Sequence, residues 1–412
     1  MALASMPSES DDFEKIGRPW FELLDRMNGQ MIPVADFPSD EPLLFLILTG
    51  GTEKKVLNAL KTLKPNNNHP VLLLAHPANN SLPAAMEIMA RLRQDSHPGQ
   101  ILLFSSPDDI KALSGLSEFI RLCVAHKKMH HSRIGMVGQP SDWLVASQPD
   151  YATLTRIWGA EVLPLDMELL EAQMSETDAS SNLPAIEQFI SQAQTIDGPD
   201  KTDFRKATEV YTGLQEIAKK HKLSALSVRC FDLVEKHHTT GCFALAQLND
   251  DHLVSGCEGD VVSTLGMLWA KHLLNAPSWM ANPAFVEPEN GLLRLAHCTI
   301  ALRMTSSFDI LSHFETNIGI GIRGHVSPQP CTVFRLGGKN TDDLWILEGK
   351  ITSSGSSAFL CRTQLDILTD DTVKLQQLLN NPLGNHVVLV FGHHKTLLTN
   401  YHNLFIANHK QK

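Results

Sequence analysis

The chain has 412 residues, of which 43% are hydrophobic and 19% are charged. This length and composition predict two or three globular domains with substantial hydrophobic cores. The net charge of −10 argues against nucleic acid or an anionic membrane as the main partner. No stretch reaches the roughly 18 apolar residues needed to span a bilayer, and the N-terminus has no secretory pattern, so we expect a cytoplasmic protein.

Residues 1–135 alternate strand and helix patterns and are predicted to form an N-terminal α/β domain. Continuous apolar runs at 43–48 and 71–75 are typical of strands buried on both faces of a parallel sheet, and 101–104 is predicted to be a third strand. A helical pattern follows each of the three. Ligands of such sheets bind beyond the carboxyl ends of the strands. The Thr-Gly-Gly-Thr-Glu loop at 49–53 would suit a phosphate or a sugar, although most glycine pairs of this kind only turn the chain.

Residues 136–290 are predicted to form a second α/β domain. Strand patterns occur at 133–138, 162–165 and 223–231, and a long helical pattern covers 204–221. Two doubly wound, Rossmann-like α/β domains are therefore expected in succession.

Residues 291–412 change period and are predicted to form a β-rich, barrel-like or sandwich-like C-terminal domain. The segments 332–336 and 344–351 look like antiparallel strands joined by a glycine-containing turn, and 386–391 is another strand.

The segment Cys257-Glu258-Gly259-Asp260 carries two carboxylates between a short strand pattern and a helix beginning at residue 261. In a regular strand the two side chains would face opposite ways, but Gly259 permits a turn that directs both into one cavity. The alternative is structural, with Asp260 capping the helix and Glu258 near its positive end.

Several histidines stand at the ends of apolar strand patterns. His386 precedes the strand at 386–391, and His393 and His394 follow it in a turn that we expect to be solvated. His297 lies in the apolar run Leu-Ala-His-Cys, where a hydrogen-bonded core histidine is the expected role.

The cysteines are odd in number and widely scattered, and none forms a C-x-x-C pair. Their spacing therefore indicates neither a zinc knuckle nor a disulfide framework. They are Cys123, Cys230, Cys242, Cys257, Cys298, Cys331 and Cys361.

Several motifs occur in one order over most of the chain, and together they resemble the short L-fucose isomerase-like and L-arabinose isomerase-like proteins. The motifs are Thr-Gly-Gly-Thr-Glu at 49–53, Ile-Gly-Met-Val-Gly-Gln-Pro-Ser-Asp-Trp at 134–143, Ser-Val-Arg-Cys-Phe at 227–231, Gly-Cys-Phe-Ala-Leu-Ala-Gln-Leu-Asn-Asp at 241–250, Cys-Glu-Gly-Asp at 257–260, Leu-Ala-His-Cys at 295–298 and Gly-Asn-His at 384–386.

The resemblance implies a homo-oligomer whose sites are completed at subunit interfaces, a monosaccharide substrate, and a divalent ion, Mn²⁺ above others. By the resemblance Asp260 and His386 are metal ligands. We expect Glu258 to be a further ligand and, with Asp260, a catalytic carboxylate, with Glu235 as the alternative source of the second carboxylate. Arg229 and Asn385 would bind sugar hydroxyls, with structural hydrogen bonding as the equal alternative.

The chain departs from the family pattern at the glutamate that lies upstream of the aspartate. The corresponding region, 240–243, contains no acidic residue, and Glu235 is the nearest upstream carboxylate. Three functions remain open: a metal-dependent aldose–ketose isomerase acting through an enediol, another sugar or sugar-acid enzyme, or a non-catalytic carbohydrate-binding relative.

Overall fold

The computed structural model describes residues 2–3, 10–29, 43–63, 70–176 and 183–407. The chain divides into two compact units, one of residues 1–127 and 399–412 and the other of residues 128–398. Among the helices in the described ranges, none combines the length and apolar character needed to cross a membrane.

The first unit is built on a four-stranded parallel sheet with the order β1-β2-β3-β4. The elements that begin in this unit are β1 (Ala2–Leu3), α1 (Ser10–Arg26), β2 (Leu43–Ile47), α2 (Glu53–Leu63), β3 (Val71–Ala75), α3 (Ser81–Gln94), β4 (Gly99–Leu103) and α4 (Ile110–His130). Every residue of β3 is buried, and so are all but one of β2, which confirms the parallel sheet predicted from the apolar runs.

The second unit opens with another parallel sheet, of order β6-β5-β8-β9. Its elements up to the barrel are β5 (Arg133–Val137), α5 (Tyr151–Trp158), β6 (Glu161–Leu165), α6 (Met167–Glu176), α7 (Leu183–Gln192), β7 (Ile196–Asp197), α8 (Lys201–His221), β8 (Ala225–Val228), α9 (Cys230–His237), α10 (Cys242–Asp250), β9 (Val254–Gly256) and α11 (Val261–Leu274). The strand predicted at 223–231 is shorter than expected. It ends at Val228 because Cys230 already begins α9, after the Arg229 amide has bonded to the Val137 carbonyl.

Six later strands close into an antiparallel barrel with the order β10-β11-β16-β15-β14-β17, and β13-β12-β7 form a small separate sheet. These elements are β10 (Ser278–Glu287), β11 (Leu292–His297), β12 (Ser307–Leu311), β13 (Gly321–His325), β14 (Gln329–Gly337), β15 (Asp343–Ser354), β16 (Thr363–Leu368), α12 (Thr372–Asn380), β17 (Val387–Phe391) and α13 (Lys395–Tyr401). The barrel begins before the predicted boundary at residue 290, and the division into three domains stays a prediction.

Helix α11 is buried almost all round and joins the parallel sheet to the barrel. Only Lys271 and His272 among its residues are not buried, and it packs on β9 on one side and on β10, β14 and β17 on another. A helix that is apolar on every face belongs inside a core. Its N-terminus therefore lies between the carboxyl end of β9 and the barrel, which is where the acidic motif occurs.

Candidate active site

The turn between β9 and α11 has an unusual backbone conformation at its first acidic residue and at the glycine that follows it. Glu258 has φ 62° and Gly259 has φ 67°, both in the left-handed region. A Cβ at Gly259 would lie 2.8 Å from the Gln139 carbonyl oxygen and 2.9 Å from Pro140 Cα, so no larger residue fits there. A left-handed glutamate is costly and tends to be retained at functional sites. The turn separates the two carboxylates: Asp260 caps α11, and Glu258 lines a cavity.

Asp260 is fully buried at the N-cap of α11, and its carboxylate is occupied by protein donors. The Ser263 amide donates to Oδ1 at 2.8 Å and the Ser263 hydroxyl donates to Oδ2 at 2.7 Å. Oδ2 also accepts from Arg335 Nη1 at 3.2 Å and lies 2.9 Å from His386 Nδ1. Burial raises the pKa of Asp260, but the charge of Arg335 and the bond from His386 lower it further, well below its usual range.

His386 is fully buried immediately before β17, and its two ring nitrogens have different surroundings. Because Asp260 is ionised, Nδ1 carries the proton and donates to it. Nε2 has no hydrogen-bond partner and lies 3.5 Å from Glu258 Oε1. Burial lowers the pKa of His386, whereas Asp260 and Glu258 raise it more strongly, to about 9.

His297, at the end of β11, directs its Nε2 atom towards the same glutamate oxygen. This nitrogen lies 3.8 Å from Glu258 Oε1, and Thr299 Oγ1 lies 3.0 Å from Nδ1. The two imidazole rings are 5.6 Å apart between centroids. The sequence predicted an ordinary core histidine at this position. Its apolar neighbours in the chain do not indicate that the strand carrying His386 will lie nearby.

Barrel closure brings the two histidines together. Strand β10 pairs with β11 on one side, where Asn282 is opposite Ala296, and with β17 on the other, where Ala281 is opposite Val387. His297 and His386 each adjoin one of these pairs, so they flank the same point of β10.

The ligand atoms of Glu258, His297 and His386 all lie within 4.8 Å of one another. Two ligands about 2.1 Å from a shared ion lie roughly 3–4 Å apart, which agrees with the two distances to Oε1. The unpartnered Nε2 of His386 and the hydrogen-bonded Nδ1 atoms also match metal-binding histidines, which use one nitrogen for the ion and the other for an orienting partner. The residues therefore fit a first-row divalent ion held by two imidazoles and one carboxylate.

Glu258 is the acidic member of this group and reaches into a cavity of about 310 Å³. Trp143 Nε1 donates to its Oε2 at 2.6 Å. Burial raises the pKa of Glu258, but His297 and His386 outweigh burial and hold the pKa well below its usual range. The acid is therefore a carboxylate, as a metal ligand must be.

The other predicted site residues divide between the cavity and its surroundings. Asn385 lines the cavity, and its role as a hydroxyl partner stays a prediction. Arg229 does not. Its guanidinium donates to the Pro140 carbonyl and to Asp142 and Asp232, which favours the structural alternative. Glu235 is exposed on α9 away from the lining. Asp260 stays a predicted ligand, although its hydrogen bonds already occupy its oxygens.

The lining also contains chemistry that the sequence did not indicate. Glu315, in the loop after β12, is its second carboxylate. Among the described residues that line the cavity there is no lysine or arginine. The cysteines that line it are Cys230, Cys242, Cys257, Cys298 and Cys361.

The loop at 49–53 contributes to a different cavity, within the first unit. Its lining includes Thr49, Gly50, Glu53 and Asn80. Neither of the two groups of possible metal ligands among the described residues includes a residue that lines this cavity.

No family model matches the chain. It is similar to two proteins named sulfoquinovose isomerase: 28% identical over 266 residues to one from Alkalicoccus urumqiensis (63% of this chain, 59% of that protein), and 24% over 282 residues to one from Clostridium sp. strain MSTE9 (66% and 62%). A third of the same name, from Priestia megaterium, is 21% identical over 324 residues, or 76% and 71%. The matches to the first two span about three fifths of those relatives. The chain is thus similar to sugar isomerases, and the names do not specify fucose or arabinose.

Proposed function

We propose that this chain is a metal-dependent aldose–ketose isomerase acting on a monosaccharide through an enediol. The observation that carries the proposal is the convergence of the ligand atoms of Glu258, His297 and His386 beside a cavity that Glu258 and His297 line. Similarity to proteins named sulfoquinovose isomerase supports it independently. The proposal keeps Glu258 and His386 as ligands, adds His297 and moves Asp260 to a positioning role.

A bound divalent ion would polarise the sugar's carbonyl and hydroxyl oxygens and so acidify the neighbouring C–H. Mn²⁺ suits a mixed oxygen and imidazole set. Asp260 fixes the His386 ring and its tautomer, and Arg335 keeps Asp260 ionised. Trp143 holds the second oxygen of Glu258.

Isomerisation also moves a proton between C1 and C2, which requires a base beside the sugar. Glu258 is engaged with the two histidines, so Glu315 is the carboxylate of the described lining assigned to this transfer. Asn385 is placed to bind a sugar hydroxyl. Together these residues bind, orient and deprotonate the substrate.

The test is metal content and Mn²⁺ affinity of the purified protein beside His386→Ala and His297→Ala. His393→Ala is the matched control, because His393 is exposed in the turn at the other end of β17. We expect both site variants to lose binding and the control to keep it. Equal binding in all four proteins would refute the metal site, and metal binding without product from any aldose would favour the non-catalytic alternative.

The relatives are named for sulfoquinovose, an aldose that carries a sulfonate. Side-by-side product analysis with neutral pentoses, hexoses, 6-deoxyhexoses and sulfoquinovose identifies the aldose that this chain converts.

We also keep the homo-oligomer as a proposal. Trp143 at the cavity is 49% exposed, and Val145 and Phe359, close in sequence to lining residues, are 85% and 86% exposed. Exposed apolar groups around a site often mark a surface that another protein covers. Light scattering during size exclusion would refute the oligomer if the mass is that of one chain.

A further inference from the structure

A second group of metal-ligating side chains lies at the same cavity, apart from the Glu258 group. The ligand atoms of Cys242, Cys298 and His313 are all within 4.8 Å of one another. The three residues are 4%, 2% and 9% exposed. Nothing in the proposed isomerase reaction uses them.

These residues come from three different elements, so no local spacing announces them. Cys242 is the first residue of α10, Cys298 follows β11, and His313 follows β12. The cysteine spacing indicated no zinc knuckle, and the fold brings these three side chains together without any such spacing.

The surroundings of the three side chains resemble the outer partners of a metal site. Thr316 Oγ1 lies 3.2 Å from His313 Nδ1, which leaves Nε2 available as a ligand. The Arg362 amide donates to Cys298 Sγ at 3.4 Å. Such partners orient ligands and stabilise thiolates.

We propose that Cys242, Cys298 and His313 form a zinc site. Two thiolates and an imidazole select a thiophilic ion, whereas the carboxylate and two imidazoles of the first group suit a harder one. The two sites are therefore selective for different ions in one cavity. This inference does not depend on the isomerase activity.

The test uses Co²⁺ as a spectroscopic substitute for Zn²⁺ in reduced, metal-stripped protein. Bonding to thiolates is expected to produce charge-transfer absorption in the near ultraviolet, which Zn²⁺ then displaces. Cys242→Ser and Cys298→Ser should weaken binding by at least about tenfold. Cys123→Ser, a buried cysteine of the first unit, and His386→Ala should keep the absorption.

Absence of the absorption in the wild-type protein would overturn the proposal, and so would its full retention in the Cys242 and Cys298 variants. If either variant fails to fold, thiol labelling of the wild-type protein replaces it. Zn²⁺ should then protect Cys242 and Cys298 from alkylation, as mapped on peptides. Failure of Zn²⁺ to protect these two thiols would refute the site.

A functional consequence rests on the proposed isomerase. Because the zinc ligands also line the sugar cavity, Zn²⁺ should inhibit product formation by the Mn²⁺-loaded protein, and Cys298→Ser should relieve that inhibition. The cobalt spectrum needs no activity, so failure of the zinc site and failure of the isomerase proposal are distinguishable.

Discussion

Replacing Asp260 by asparagine distinguishes a metal ligand from a residue that positions one. The substitution keeps the shape of the side chain and removes its charge. The carboxylate is fully buried and accepts from Ser263 and Arg335 while holding His386. If Asp260 acts through His386, Mn²⁺ binding should weaken but persist.

The magnitudes follow from those contacts. Loss of an outer partner of a metal-binding histidine weakens metal affinity by about 10–100-fold, or roughly 1.4–2.7 kcal/mol. Arg335 is only 1% exposed and would lose its anionic partner, which leaves an uncompensated buried charge. Breaking such a pair costs about 3–5 kcal/mol of unfolding free energy.

Isothermal titration with Mn²⁺ measures the affinity, and denaturant unfolding in chelator measures the stability. Asp309→Asn is the matched control, because Asp309 is 8% exposed and bonded to Thr195 and His325 outside the site. It should leave Mn²⁺ binding unchanged. Wild-type affinity in Asp260→Asn would refute the positioning role. Complete loss in a folded variant, as severe as in His386→Ala, would restore Asp260 as a ligand.

Three further outcomes are expected. Gly259→Ala should lower the free energy of unfolding by about 2–4 kcal/mol, measured with denaturant, because it adds left-handed strain and a backbone clash. Glu315→Gln should lower kcat by about 10²-fold or more without changing Mn²⁺ affinity, measured by product formation and titration. Burial, then Lys271 and Lys128, lower the pKa of His272 to about 4 in the folded protein. Between pH 6.5 and pH 4 the imidazole is therefore protonated in the unfolded chain but not in the folded one. As the pH falls through this range, the free energy of unfolding should decrease by about 2 kcal/mol, after discounting for partial exposure.

Each of these outcomes has its own control. Gly241→Ala should cost less than about 1 kcal/mol, because Gly241 has a negative φ and its Cβ would meet nothing nearer than 3.5 Å. Glu289→Gln should keep full activity, because Glu289 is exposed and lies outside the cavity. If Glu315→Gln leaves kcat unchanged, Glu315 is not the base. An equal loss of stability with acid in His272→Gln would show that another group is responsible.

The parallel sheets could be predicted from sequence because their signals are local. A strand buried on both faces must be apolar at every position, as in β3, and the turn after it must accept a helix. A turn at Gly259 was also predicted from local sequence. The expectation that it directs both carboxylates into one cavity was wrong, because Asp260 caps α11, as the structural alternative held, and only Glu258 lines the cavity.

Neither metal group could be derived from local pattern. His297 stands in an apolar run that also suits a core histidine, and only the closure of β11 and β17 around β10 sets it opposite His386. Cys242, Cys298 and His313 are likewise neighbours only in three dimensions. Sequence by itself determined the layers and the acidic turn, because burial and backbone conformation depend on nearby residues. The tertiary structure alone decided which side chains form the two candidate ligand sets, because these depend on the register of strands that are distant in the chain.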